Sequence, residues 1–126
     1  MKIKAYTLFT PSHKKFLYEY LLDSFKYNEN IELTIIHKPQ LCETAEFGTD
    51  GWHGTMYYKA NCFYDKLKEC GDDEIFMFID PDIVIYRDFY DDIVERMKTN
   101  DMVFQNDGPG GVNTGFFAVK NNKKTR

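Results

Sequence analysis

The chain reads as an α/β domain, a Rossmann-like three-layer α/β/α arrangement with a mostly parallel central sheet, and three observations carry that expectation. Strand-like and helix-like patterns alternate along the sequence, as they do in βαβ units. One strand, Glu74 to Ile79, is apolar on both faces, as a strand between two helical layers must be. The 126 residues, 43% hydrophobic and 17% aromatic, supply one apolar core with no room for a second, so residues 1–126 are expected to form a single domain.

Residues Lys4 to Phe9 predict the first strand, ended by the Thr10-Pro11-Ser12 turn, where a proline and a candidate cap at Ser12 suit a helix start. From His13 to Tyr27, Phe16, Leu17, Tyr20, Leu21 and Ser24 recur at helical spacing. Ile31 to His37 is a β-branched run stopped by Pro39 and predicts the second strand. Gln40 to Gly54 holds three glycines and little periodicity, so it reads as a long connection, and such loops are often functional. Met56, Ala60, Phe63, Leu67 and Cys70 predict a helix from Thr55 to Cys70, with Gly71 at its C-terminal cap. After the central strand, Ile83 to Tyr86 is a short apolar segment. Asp88 is a candidate cap for a helix to Lys98, with acids in its first turn and a lysine in its last. Asp101 to Gln105 predicts a strand, Gly108 to Gly111 a turn, and Gly115 to Lys120 a final strand.

Sixteen basic against twenty acidic residues leave a formal charge of −4, which offers polyphosphate no general attraction and argues against nucleic acid as a partner. No apolar run approaches the roughly 20 residues needed to cross a bilayer, and no signal-peptide pattern opens the chain, so a cytoplasmic location is expected. Cys42, Cys62 and Cys70 form no CxxC pair and read as reduced, partly buried thiols. His13, His37 and His53 lack zinc-ligand spacing and read as surface or loop histidines.

The chemistry-bearing residues gather at one predicted edge. In open α/β sheets, ligands bind beyond the carboxyl ends of the strands, and that edge carries Thr10 and the Asp80-Pro81-Asp82 turn. Two carboxylates one residue apart suit a hard cation, Mn²⁺ or Mg²⁺, which would bridge to a diphosphate and resolve the charge conflict of an acidic domain. The same pair also suits a plain turn that caps the next element. Lys59 on the second helix would meet a phosphate as a point charge, or else be an ordinary solvated helix lysine. The Gly108-Pro109-Gly110-Gly111 run lacks P-loop spacing. Asn113 and Thr114 come directly after it and have the amide and hydroxyl groups that bind sugar hydroxyls, though both are ordinary turn formers too. Trp52 reads as a stacking surface or as a loop anchor.

In order along the chain, the strand Lys4 to Thr10, the helix carrying Lys59, Phe76-Met-Phe-Ile-Asp-Pro-Asp-Ile-Val-Ile85 and Val112-Asn-Thr-Gly-Phe-Phe-Ala-Val119 resemble the GT-A fold glycosyltransferases, nucleotide-diphospho-sugar transferases. The likeness is to the retaining group related to glycogenin and bacterial lipopolysaccharide galactosyltransferases, and it spans nearly the whole chain. It implies a metal-dependent transferase moving sugar from a nucleoside-diphosphate sugar, UDP-sugar first among them, to a saccharide or protein acceptor. On that likeness Phe9 and Thr10 lie against base and ribose, while Asp80 and Asp82 hold Mn²⁺ (or Mg²⁺) and the nucleotide. Lys59 faces the phosphates or donor sugar, and Asn113 and Thr114 touch the sugar.

Two features depart from the family pattern. Pro81 replaces the commonly small middle residue of the DxD and stiffens its turn. The family also places an acceptor-shaping segment and a further metal ligand after the Asn-Thr-Gly strand, whereas six residues come after Lys120 here. The chain is therefore expected to be either the N-terminal part of a longer transferase or a shortened, catalytically incomplete nucleotide-sugar-binding module. A third reading comes from Phe-Ile-Asp-Pro-Asp-Ile-Val, which also resembles the nucleophile strand of haloacid-dehalogenase-type phosphatases. In those enzymes the motif lies on the first strand, with a lysine and an acidic pair well downstream.

Overall fold

The computed structural model describes residues 2–41 and 47–126. Five strands form one open sheet: β1 (Ile3–Phe9), β2 (Ile31–His37), β3 (Ile75–Ile79), β4 (Met102–Asn106) and β5 (Val112–Lys120), in the spatial order β2-β1-β3-β5-β4. β1 pairs in parallel with β2 and β3, whereas β5 runs antiparallel to both β3 and β4. Four strands therefore share one direction and β5 alone is reversed, a departure from an all-parallel core. A glycine turn joins β4 to β5 as a hairpin, which needs no crossover helix, and an antiparallel partner results. Gly108 and Gly110 adopt φ of +87° and +75° in this turn, where a side chain would be strained.

Side-chain alternation along the strands sorts the core into two layers. Tyr6, Leu8, Phe76, Phe78, Phe117 and Val119 face the helix α2 (Asp50–Glu69) through Cys62, Phe63 and Leu67. Ile3, Ala5, Met77, Ile79 and Ala118 face the opposite way, onto Leu17 and Leu21 of the first helical segment and onto Ile93 and Met97 of α3 (Tyr90–Met97). Met77, Phe78 and Ile79 are essentially inaccessible, as expected of the central strand. Truncating a buried ring such as Phe78 to Ala costs about 3–5 kcal/mol.

Several expectations need correction. The helix expected from His13 to Tyr27 is a composite: a 3₁₀ turn (Pro11–His13), one α turn, α1 (Lys14–Phe16), a π-helical run (Leu17–Leu22) and a second 3₁₀ turn (Phe25–Tyr27). Its helical spacing still buries Leu17 and Leu21, while Phe16 and Tyr20 lie outside the core, their rings 5.3 Å apart. Thr10, not Ser12, precedes the first turn, and its side chain makes no cap hydrogen bond.

The helix expected to begin at Thr55 begins at Asp50, because the Thr49 side chain accepts from the Trp52 N–H and Asp50 supplies the favourable first-turn charge. Gly54 is accommodated within it against Leu41. The inward stripe runs through Lys59, Cys62 and Phe63 rather than through Ala60, which is exposed. Gly71 comes after the cap residue Cys70 without a left-handed φ; its N–H donates to the Glu74 carboxylate.

Ile83 to Tyr86 forms no strand; Ile85 is buried and Tyr86 is exposed. α3 starts at Tyr90, and Asp88 accepts the Tyr90 N–H rather than occupying the cap position itself. β5 begins at Val112, so Asn113 and Thr114 belong to the strand. Cys62 and Cys70 are buried free thiols, and burial pushes both thiols up, away from thiolate chemistry. Cys42 and the rest of 42–46 lie outside the described residues. Among the described residues no helix is long and apolar enough to cross a membrane.

Candidate functional site

The chain leaves β1 to build β2 on one side and returns to build β3 on the other, so β1 and β3 flank the point where strand order reverses. Their carboxyl ends diverge there, and such crevices are where open α/β sheets take ligands. A cleft of about 260 Å³ opens at this point, lined by Leu8, Phe9, Thr10, His13, Phe47, Trp52, Thr55, Met56, Lys59, Phe78, Asp80, Pro81 and Asp82. Six of the residues singled out in the sequence, Phe9, Thr10, Trp52, Lys59, Asp80 and Asp82, therefore meet on one surface.

Two periodicities bring Lys59 and Asp80 together. Asp80 continues the alternation of Phe76 and Phe78 and so projects toward α2, while Lys59 lies three residues after Met56 and four before Phe63 on the inward stripe of that helix. The Lys59 ammonium donates to Asp80 Oδ1 at 2.8 Å, with side-chain exposures of 8% for the lysine and 33% for the aspartate. The rings of Phe78 and Phe63 lie 5.1 and 5.9 Å from the same ammonium, so an apolar sleeve orients it toward the cleft. Lys59 is not the solvated helix lysine that its residue type suggests. Burial pushes the Asp80 carboxyl above its ordinary value, against the pull of Lys59; the neighbouring Asp82 charge adds to the rise and His13 opposes it. Asp82 is exposed and forms no ion pair among the described residues.

Asp80 is also locked to β5. Its N–H donates to the Gly115 carbonyl at 2.7 Å, and a Cβ on Gly115 would lie 2.7 Å from Asp80 Oδ2. Glycine is required for that approach. The register explains how β5 reaches so close: Phe104 faces Phe117 but the next residue, Gln105, faces Asn113, so Thr114 to Phe116 bulge away from β4 toward β3. Asn113 Oδ1 accepts the Gly115 N–H at 2.6 Å, which is the turn-shaping role available to this residue type. Asn113 and Thr114 thus stand beside Asp80 but do not line the cleft.

On the other wall, Thr10 is buried, its hydroxyl 3.4 Å from that of Ser12, and Ser12 Oγ lies 2.9 Å from His13 Nδ1. Gln40 Oε1 accepts the Ser12 N–H at 2.9 Å and ties this turn to the end of β2. Phe9 packs its ring on His37 at 4.8 Å and 22°, which fixes the ring's tilt at the cleft mouth. Trp52 stands in the first turns of α2, not in a loop, with the Phe47 ring 4.6 Å away.

His13, Thr55 and Met56 were not singled out as site residues in the sequence. His13 is half-buried on the cleft wall rather than a plain surface histidine. The strand-end rule that selects Thr10 also selects the turn three residues on, which is the signal that would have found it.

The donor set fits a hard cation. Asp80 Oδ2 and the Asp82 carboxylate are oxygen donors at a cleft, and Mg²⁺-type sites use one or two carboxylates and complete the shell with water and phosphate oxygens. Among the described residues no group of three His, Cys, Asp or Glu side chains could hold a metal by itself.

Comparison with protein-family models, with curated proteins and with solved structures returns no match for this chain.

Proposed function

We propose that this domain binds a nucleoside-diphosphate sugar together with Mn²⁺ or Mg²⁺ in the β1–β3 cleft, and transfers the sugar to a saccharide or protein acceptor as a GT-A type glycosyltransferase. The observation that carries the reading is the convergence of three distant segments at the switch point. Asp80 sits between Lys59 of α2 and Gly115 of β5, on the same cleft as Thr10, which directly follows β1. In this reading Phe9 stacks against the base and Thr10 bonds the ribose. Asp80 and Asp82 would hold the cation, Lys59 bonds a phosphate oxygen, and Asn113 with Thr114, outside the cleft lining, would meet a sugar that extends past the cleft. When bound, the cation supplies positive charge to the departing diphosphate. Lys59 stabilises the same developing charge in a site partly screened from water, where a fixed donor counts for more than it does in bulk solvent.

Direct assay tests this. The chain, supplied with Mn²⁺, a panel of nucleoside-diphosphate sugars and mixed saccharide acceptors, should release nucleoside diphosphate from one donor, and Lys59→Met should abolish release. A chain that binds UDP with Mn²⁺ yet neither hydrolyses nor transfers would instead be a nucleotide-sugar-binding module. The two-carboxylate donor set favours keeping that second reading. The phosphatase reading has less support, since the lysine paired with Asp80 comes from an upstream helix.

A further inference from the structure

Lys59 answers to two demands that compete. Its ammonium is already seated on Asp80 Oδ1 at 2.8 Å, inside a sleeve formed by Phe63 and Phe78. A divalent cation arriving at Asp80 meets that resident charge in a poorly solvated pocket, where two cations on one carboxylate repel strongly. The remaining donor, Asp82, is exposed, and no third ligand stands among the described residues to offset the repulsion. A diphosphate alone fares no better. Its oxygens meet Asp80 and Asp82, while the lysine that would receive them is already paired.

Both obstacles vanish when the two ligands arrive together. The diphosphate accepts from Lys59 and shares the cation with the carboxylates, so every charge in the cleft then has a partner.

Resting on the reading above, we propose that Lys59 is the resident counter-ion of Asp80 and that this pairing makes the cleft selective for a cation–diphosphate pair over either ligand alone. Linkage requires the effect to be reciprocal: the cation strengthens diphosphate binding by the factor through which the diphosphate strengthens cation binding, about 5–150-fold for typical couplings.

Calorimetric titration of the whole chain with Mn²⁺ alone, UDP alone and both, in wild type and Lys59→Met, tests this; melting temperatures confirm that each variant folds. The wild type should bind Mn²⁺ weakly without UDP. Lys59→Met should bind Mn²⁺ alone more tightly, by about fivefold or more at the low end of such couplings, while its metal-free UDP binding does not improve and the coupling shrinks. Association of Mn²⁺ with UDP in solution is common to both proteins and cancels.

A second route avoids removing the lysine. Asp80→Asn frees Lys59, so metal-free UDP should bind more tightly than to wild type, and the gain should disappear in Asp80→Asn/Lys59→Met; a gain from lost carboxylate repulsion alone would survive there. Mn²⁺ binding to a folded Lys59→Met that is unchanged or weaker overturns the proposal. Should that variant fail to fold, unchanged or weaker metal-free UDP binding to Asp80→Asn overturns it. A wild type that binds UDP under neither condition removes the functional reading as well.

Discussion

Two aspartates at opposite ends of the same sheet move in opposite directions. Asp101, just before β4, accepts from Asn122 at 2.6 Å and from Lys124 at 3.0 Å, and these hydrogen bonds hold its carboxyl below the ordinary value. Asp80, just after β3, has its carboxyl raised by burial against the pull of Lys59 and His13. The rest of each end matches its aspartate. Around Asp101 the polar groups are spoken for: buried Asn121 donates to the Cys70 and Gly71 carbonyls at 2.7 and 3.1 Å, and its backbone bonds Glu74 and Asp73. Around Asp80, among the described residues, a carboxylate without an ion pair, an oxygen without a hydrogen bond and a cleft are left over. One end spends its polar groups on holding the fold, and the other keeps them available for a ligand.

The largest way to break this contrast is at the closed end. Asn121→Ala takes the side-chain donor from the Cys70 carbonyl, while the Gly71 carbonyl keeps the Glu74 N–H; one buried acceptor left unsatisfied costs about 1–3 kcal/mol, so urea unfolding should show a loss of that size with UDP affinity unchanged. At the open end, Gly115→Ala forces Asp80 and the Asn113 amide apart. Mn²⁺-assisted UDP binding should fall about tenfold, or about 1.4 kcal/mol, by calorimetry. Asn113→Ala should weaken a UDP-sugar more than UDP, by about 0.5–1.5 kcal/mol for one neutral hydrogen bond; equal weakening would confine Asn113 to its bond with the Gly115 N–H.

The smallest effects are in pH. Asp101, held low, contributes stability present above the ordinary aspartate value and lost as pH falls through its depressed one. Asp80, held high, contributes stability present below the ordinary value and lost as pH rises through its raised one. Denaturation of Asp101→Asn and of wild type across acid pH should show the first as a shrinking difference. The Mn²⁺-dependent part of UDP affinity should weaken on acidification, since protons compete with the cation for the Asp80 carboxylate.

What could be read from the sequence divides along similar lines. β2 matched its expected bounds, and β1, β3 and β4 came within a residue at each end, because alternation and β-branched runs mark strands directly. The reversed direction of β5 was missed, since a strand's pattern does not encode its partner's direction and the glycine turn before it was not read as a hairpin. The early start of α2 was hidden by Gly51 and Gly54, which lower helix propensity but are overridden by the Thr49 cap. At the site, Asp80 and Asp82 were legible from their place after an apolar strand. Lys59 was legible only as a residue type, although Met56 and Phe63 bracket it at helical spacing and place it on the buried stripe. The bulge that carries Gly115 against Asp80 is a register property, set by pairing between strands rather than by any local pattern.

The central claim, that the β1–β3 cleft holds a nucleoside diphosphate through a cation shared by Asp80 and Asp82, is tested most directly by titrating UDP with and without Mn²⁺ into wild type and Asp82→Ala. Asp82 is exposed and forms no ion pair among the described residues, so its removal should leave stability within about 0.5 kcal/mol, as for most surface substitutions. Mn²⁺ should strengthen UDP binding to the wild type, and Asp82→Ala should remove that gain while leaving uridine binding almost unchanged. Equal UDP affinity with and without Mn²⁺ in the wild type, or a full Mn²⁺ gain retained in Asp82→Ala, would contradict it.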